Sequence, residues 1–238
     1  MMRYGLYFAP ATDSPWWHAG CRWLGRDAAS GAEFPHCQIA GVSDKVIGEL
    51  TAHARRYGFH ATLKAPFRLR DGYSEAQLIS MAQAFCAAQR PIVLDDMQVR
   101  PLNGFLALRP DGPDDEIGAL AMCCVRYFDS LRAAPAAGEL EKRRHTGLSA
   151  RQEALLLRWG YPYTEEEFRF HMTLTDPLSD VGADVVQAIR QAAEQCFAGV
   201  RAGTPLVIDA LTVFREEMPG AAFSVWRRFP FNAARPWR

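Results

Sequence analysis

A nine-residue pattern that occurs twice constrains the fold of this chain more than any other feature. Residues 59–67 read FHATLKAPF and residues 170–178 read FHMTLTDPL, so both follow the pattern aromatic-His-x-Thr-Leu-x-x-Pro-apolar. The copies lie 111 residues apart in a chain of 238 residues. Self-similarity of this kind indicates an internal duplication, because each copy encodes the same structural unit. The sequence therefore predicts two similar halves.

Two further blocks repeat downstream of the first. Residues 91–99 (PIVLDDMQV) match residues 205–213 (PLVIDALTV), and residues 104–109 (GFLALR) match residues 222–227 (AFSVWR). The last pair alternates as β-strands do, and each copy ends in arginine. Between the first and second blocks each half carries apolar residues at helical spacing, in residues 74–89 and 184–197. Each half thus reads strand, helix, strand, strand.

The remaining segments are assigned around these two halves. Helical patterns cover residues 45–55, 114–131 and 149–159, the last with Ser149 as its N-cap. Residues 132–147 are rich in alanine, glycine and charge, and we interpret them as a mobile linker or flap. We expect a single bilobal domain, with lobe 1 at about residues 1–112, a helical connector and linker at 113–160, and lobe 2 at about 161–238.

Strand parity gives each copy of the nine-residue pattern a polar and an apolar face. Residues two apart in a strand point to the same side, so His60 and Thr62 share one face, as do His171 and Thr173. The aromatic and apolar residues between them face the other way. We expect the two polar faces to line one groove.

Paired histidines and threonines of this kind suit phosphodiester hydrolysis. One imidazole takes a proton from the attacking water and the other gives a proton to the departing oxygen, since an imidazole pKa near 6.5 permits either role. The threonine hydroxyls would hold the phosphate oxygens on which charge is concentrated. His60, His171, Thr62 and Thr173 are therefore the candidate catalytic residues, and this chemistry requires no metal or cofactor.

Other side chains near the two motifs are candidates for substrate binding. By strand parity Lys64 and Arg169 face the groove, where two cations would suit an anionic substrate, although both also fit as solvated charges at strand ends. Arg56, Tyr57 and Tyr7 are further candidates, and for these three a structural role is the favoured alternative.

Composition narrows the partners and the location. The charges of the 27 basic and 27 acidic residues cancel, so the chain lacks the broad positive field that would attract long nucleic acids and anionic membranes. No stretch approaches the ~20 apolar residues of a membrane span, and the start has no signal-peptide pattern. We expect a cytoplasmic protein that acts on a small phosphorylated substrate, with no membrane partner. The histidines, cysteines and carboxylates show no metal-ligand spacing.

The paired segments HATL (60–63) and HMTL (171–174) resemble the motifs of the two-histidine (2H) phosphoesterase superfamily. The resemblance implies an α+β fold in which two antiparallel sheets line a central groove with helices outside. More narrowly, RYGFHATLKAPF and WGYPYTEEEFRFHMTLT resemble a bacterial branch known as phosphonate-metabolism proteins. Membership implies a small sugar phosphate substrate, for example a ribosyl cyclic phosphate. It also makes Arg143, Arg144 and Tyr163 candidates for the substrate pocket.

Two other functions remain open from the sequence. One is an RNA-end phosphodiesterase or ligase acting on 2′,3′-cyclic or 2′-5′ linkages, which the neutral net charge disfavours. The other is an inactive protein that binds a phosphorylated ligand, which the intact histidine and threonine in both copies disfavour.

Overall fold

The computed structural model of the chain describes residues 2–94, 96–112, 114–145 and 147–232. Its strands are all paired antiparallel, in one sheet of seven and one of two. The strands are β1 (Arg3–Phe8), β2 (Ala61–Phe67), β3 (Ile92–Leu94), β4 (Met97–Leu102), β5 (Phe105–Pro110), β6 (Met172–Thr173), β7 (Leu206–Ile208), β8 (Ala210–Glu216) and β9 (Ser224–Pro230). The helices are α1 (Pro15–Leu24), α2 (Asp44–Leu50), α3 (Ala52–Tyr57), α4 (Glu75–Ala88), α5 (Asp115–Tyr127), α6 (Ala137–Arg144), α7 (Ala150–Trp159) and α8 (Ala183–Gly203).

The two halves are related by a pseudo-twofold axis. Ala61 of β2 pairs with Met172 of β6, which is the same position in the other copy of the nine-residue pattern. Val93 of β3 pairs with Val207 of β7, again its own counterpart in the second block. Equivalent residues can pair with each other only where the symmetry axis passes between them. The duplication inferred from the sequence is therefore also a symmetry of strand pairing.

The third repeated block breaks this symmetry. The large sheet has the order β4-β5-β6-β2-β1-β8-β9. Counted outward from the middle of the sheet, between β6 and β2, the counterparts β4 and β8 are each the third strand. β5 pairs directly with β6, whereas its counterpart β9 lies at the edge of the sheet. The position beside β2 is taken by the N-terminal strand β1 instead. As a result, β4 and β5, which follow the first motif in sequence, extend the sheet on the side of the second motif. β8 and β9, which follow the second motif, extend it on the side of the first.

Helices cover the apolar face of the two motif strands. Phe59, next to β2, is fully buried against Phe197 of α8, with ring centroids 5.8 Å apart. Gly20 of α1 lies on the same ring, and a Cβ there would come within 2.1 Å of it, so this helix can approach only with glycine. The α+β class with antiparallel sheets is confirmed. The halves do not form separate sheets, however, because β2 and β6 join them into one.

The connector contains a helix that the sequence did not predict. Helix α7 begins after Ser149, whose hydroxyl accepts a hydrogen bond from the Gln152 amide as an N-cap, which confirms that assignment. Residues 132–147, interpreted as a linker or flap, contain helix α6. The correction has a simple reason: AGELEKRR has strong helix formers but no buried stripe to reveal it. Among the described residues, no helix combines the length and apolar character needed to cross a membrane.

Candidate functional site

Four polar side chains meet on one face of the sheet where β2 and β6 pair. The pairing of Ala61 with Met172 sets His60 opposite Thr173 and Thr62 opposite His171, because antiparallel neighbours advance in opposite directions. Cross-strand partners share a face, so His60, Thr62, His171 and Thr173 form one group, which we call the HxT face. The two histidines lie diagonally across it, a relation that places residues about 7–8 Å apart.

Both histidines are held by the same hydrogen bond. Nδ1 of His60 lies 2.9 Å from the carbonyl oxygen of Gly58, and Nδ1 of His171 lies 2.8 Å from that of Arg169. A carbonyl only accepts, so each Nδ1 carries the proton and donates it to the residue two positions upstream. In the neutral ring Nε2 is then the basic atom. For His60 this atom is 3.4 Å from the hydroxyl of Thr62.

The surroundings favour uncharged imidazoles at both positions. The pKa of His60 is lowered to about 4, chiefly because burial disfavours the charged ring, and His171 acts in the same direction. The pKa of His171 is also lowered, first by burial and then by the positive charge of Arg109. In each case the hydrogen bond to the upstream carbonyl opposes the shift. Each ring is therefore able to accept a proton near neutral pH.

The symmetry break of the sheet gives the two histidines different neighbours. On the β1 side, the ring of the buried Tyr7 stacks on His60 with centroids 4.0 Å apart. On the β5 side, Ala107 is opposite Thr173, so the next aligned position, Arg109, is opposite His171. His60 thus has a stacked tyrosine, whereas His171 has a guanidinium and the tilted ring of Phe105 at 5.7 Å. The buried Nε of Arg109 has no hydrogen-bond partner among the described residues.

A cavity of about 740 Å³ opens beside the HxT face. Thr62, His171 and Thr173 line it, whereas His60 and the Tyr7 stacked on it are not among the lining residues. Helix α5 forms one wall and the segment after α7 another. The further lining residues include His53, Phe105, Trp159, Tyr161, Tyr163 and Arg169. The volume is in the range of small-molecule sites.

Lys64 borders this cavity but its ammonium group is engaged elsewhere. The side chain is buried, and Nζ donates to the carbonyl oxygen of Val125 at 3.0 Å and to Asp129 at 3.2 Å. Burial lowers the pKa of Lys64, while Asp129 opposes that shift. That Lys64 faces the groove by strand parity stays a prediction, since the pairing of β2 with β1 shifts register between Thr62 and Lys64. Through these two contacts Lys64 links β2 to the end of α5.

The other predicted binding residues have distinct positions. Arg169 is exposed at the cavity, with Nη1 donating to the carbonyl oxygens of Glu166 and Phe168 at 2.6 Å each. Tyr163 lines the cavity. The ring centroid of Tyr57 lies 6.0 Å from that of His60, and the guanidinium of Arg56 lies over the Tyr57 ring.

Arg56 has a structural partner, as the alternative interpretation held. Its guanidinium pairs with the buried carboxylate of Glu216, and its Nε donates to Ala221 at 3.0 Å. It joins the segment before β2 to the β8–β9 connection.

Arg144 is not at the cavity, which corrects the prediction made for it. Its Nε donates to Glu153 of α7 at 3.0 Å on the protein surface. The preceding residue, Arg143, instead stacks its guanidinium 4.9 Å from the ring centroid of Tyr161. Successive residues of a helix point about 100° apart, which gives the two arginines of α6 different partners, and neither lines the large cavity.

Sequence patterns missed two groups at the site. Tyr161 lines the cavity, and burial raises its pKa to about 12. Arg109 faces His171 through strand pairing alone. The arginine that ends each copy of the third block was a signal for it, but the pairing of β5 with the opposite motif strand could not be inferred from the repeat. Among the described residues, no group of three or more His, Cys, Asp or Glu could hold a metal ion.

Comparisons with known proteins find relatives and a family. The chain is 61% identical over 232 residues to a ribose 1,5-bisphosphate phosphokinase PhnN of Janthinobacterium sp. (strain Marseille), and 38% identical over 230 residues to one of Laribacter hongkongensis (strain HLHK9). These alignments cover 98% and 95% of the chain, which spans about half the length of each relative, 51%. A crystal structure of E. coli LigT complexed with 3′-AMP aligns over 97% of this chain and 98% of that one, with 12% identity and a TM-score of 0.38.

A family model described as protein of unknown function (DUF1045) matches residues 62–224. The match begins at the first threonine of the HxT face and includes the whole second motif. Because it covers more than half of the chain, this protein belongs to the DUF1045 family.

Proposed function

We propose that this chain is a metal-independent phosphodiesterase that opens a small cyclic phosphodiester. The observation that carries the proposal is the matched pair of imidazoles. His60 and His171 each have Nδ1 fixed by a carbonyl two residues upstream, and they lie diagonally on one sheet face with a threonine beside each.

The arrangement suits in-line displacement at phosphorus. Phosphoryl transfer places the attacking and leaving oxygens on opposite sides of the phosphorus atom. One Nε2 removes a proton from water as its oxygen bonds to phosphorus, and the other Nε2–H protonates the ring oxygen as its bond to phosphorus breaks. The products are a phosphomonoester and a free hydroxyl group. The hydroxyls of Thr62 and Thr173 would donate to the non-bridging oxygens.

The relatives supply the substrate class that we favour. Their names describe a kinase of ribose 1,5-bisphosphate, and this chain spans half of their length. None of its three lysines, Lys45, Lys64 and Lys142, follows a glycine and precedes a serine or threonine, so the chain has no P-loop for ATP. We infer that it supplies a different step, the opening of a ribosyl cyclic phosphate. A phosphomonoester of ribose is the kind of product that such a kinase would use.

A panel of cyclic phosphates followed by phosphorus NMR tests the proposal. The panel contains ribose cyclic phosphates, 2′,3′-cyclic nucleotides and 3′,5′-cyclic nucleotides, each with and without exhaustive chelation. We expect a phosphomonoester signal from a ribose compound, without added ATP and undiminished by chelator. Absence of turnover across the panel, or activity that chelation removes and one divalent ion restores, would contradict the proposal.

The same panel separates the two alternatives. Preference for a 2′,3′-cyclic nucleotide would favour the hypothesis of an RNA-end enzyme. Binding of ribose phosphates without any turnover would favour an inactive ligand-binding protein.

A further inference from the structure

A second, smaller cavity has five cations among its eleven lining residues. Its volume is about 150 Å³, and one carboxylate lies among its lining residues. A cavity of this size can hold a group as large as benzene. The charged residues that line it are Arg3, Arg68, Arg132, Lys142, Arg143 and Glu139.

The small cavity shares a wall with the large one. Pro66 lines it and lies four residues after Thr62 on β2, about 13 Å along the strand at ~3.3 Å per residue. On the opposite wall Gly160 stands between Trp159 and Tyr161, which line the large cavity. The guanidinium of Arg143 lines the small cavity and stacks on Tyr161. The contact between Arg143 and Tyr161 therefore joins the lining of the small cavity to that of the large one.

The ion pairs around the small cavity engage at least three of its five cations. Glu139 is shared between Arg3 and Arg68, at 3.9 and 3.7 Å, and Arg3 also pairs with the buried carboxylate of Glu216. Arg132 is paired with Asp129 at 2.8 Å. Lys142 is exposed and takes part in no ion pair between described residues. Guanidinium forks together with a lysine are the groups that bind phosphate in proteins.

We propose that this basic cavity binds a second, terminal phosphate of the substrate whose cyclic phosphate lies at the HxT face. The inference rests on the proposed function and deepens it: the substrate class becomes a phosphorylated sugar cyclic phosphate, carrying a phosphomonoester at the end remote from the ring that is opened. A nucleoside cyclic phosphate lacks this group, so the cavity would select against it.

Two ribose cyclic phosphates that differ only in a 5-phosphate test the inference. For the wild-type chain we expect a higher kcat/KM with the 5-phosphate present. In Lys142→Gln and Arg143→Gln the ratio of kcat/KM for the two substrates should fall by about tenfold or more each, because each variant loses a hydrogen bond between a charged side chain and the phosphate. The loss should be in KM. Lys45→Gln, an exposed lysine on α2, is the matched control and should keep the wild-type ratio.

An equal preference in the wild-type and the two cavity variants would overturn the inference while leaving the proposed function intact. If neither substrate is turned over, binding decides the matter. Calorimetry with ribose 5-phosphate as the probe should then show weaker affinity for Lys142→Gln and Arg143→Gln than for Thr62→Val. Equal affinity in all three variants would count against the cavity.

Discussion

The carbonyl contacts of His60 and His171 explain why the duplicated motif keeps more than a histidine and a threonine. A ring whose Nδ1 donates to a backbone carbonyl has a fixed tautomer and a fixed direction for Nε2. Both contacts span two residues, to Gly58 and to Arg169. Gly58 has a φ of +83°, and a Cβ there would come within 2.5 Å of Ala28. The orientation of His60 therefore depends on a glycine that the strand pattern alone does not explain.

Removal of either imidazole should abolish most turnover. His60→Ala and His171→Ala are each expected to lower kcat by about 10²–10⁴-fold, the usual contribution of a general acid or base. Thr62→Val and Thr173→Val should lose less, through poorer placement of the phosphate. His18→Ala, at an exposed histidine of α1, is the matched control. Steady-state rates with circular dichroism spectra check the prediction, and a near-wild-type rate in either histidine variant would refute the mechanism.

The pH dependence of kcat/KM should be bell-shaped with its maximum below pH 6.5. The mechanism needs one neutral and one protonated imidazole, so the free-enzyme maximum lies midway between the two apparent pKa values of the pair. Burial lowers the pKa of His60 to about 4 and also lowers that of His171. Both values are therefore below the ordinary 6.5. Measurement of kcat/KM from pH 4 to 9 checks this, and a maximum above pH 7 would contradict it.

Strand parity predicted which side chains share a face but not what those side chains contact. Thr62 and Lys64 line the same cavity, although the pairing of β2 with β1 shifts register between them. The ammonium of Lys64 binds Val125 and Asp129, more than 60 residues away in sequence. Such contacts depend on how α5 packs on the sheet, which no local pattern specifies.

At the level of elements, the hydrogen bonds by which Lys64 links β2 to α5 should contribute to the stability of the fold. Lys64→Met keeps most of the buried stem but leaves the carbonyl of Val125 without this donor, so we expect a loss of about 1–3 kcal/mol in the free energy of unfolding. Asp129 retains Arg132 as a partner, which limits the loss. Urea denaturation measures it. Lys45→Met on the exposed face of α2 should change the free energy of unfolding by at most about 0.5 kcal/mol. Equal effects of the two substitutions would show that the hydrogen bonds of Lys64 do not stabilise the fold.

The repeat predicted the elements of each half better than their arrangement. Offsets in sequence identify counterparts, such as β4 with β8 and β5 with β9. They do not specify that β1 inserts beside β2 and leaves β9 at the edge. Pairing between strands distant in sequence is decided by packing of the whole chain. The environments of His60 and His171 differ for this reason, and the lobe boundaries at about residues 112 and 160 stay a prediction.

Across the whole molecule, balanced charge predicts a weak response of activity to salt. A protein that neutralises many phosphates of a single-stranded polymer loses affinity with a log–log slope of about −0.7 per phosphate contact. This chain has 27 basic and 27 acidic residues, and the cavities described above are compact. We expect kcat/KM for a ribose cyclic phosphate to fall only modestly between 50 and 200 mM salt, roughly as one or two contacts require. The comparison is an RNA oligonucleotide ending in a 2′,3′-cyclic phosphate, measured at the same two salt concentrations. If the oligonucleotide is much the better substrate and its binding collapses with salt, the protein acts on RNA ends and the small-substrate proposal is wrong.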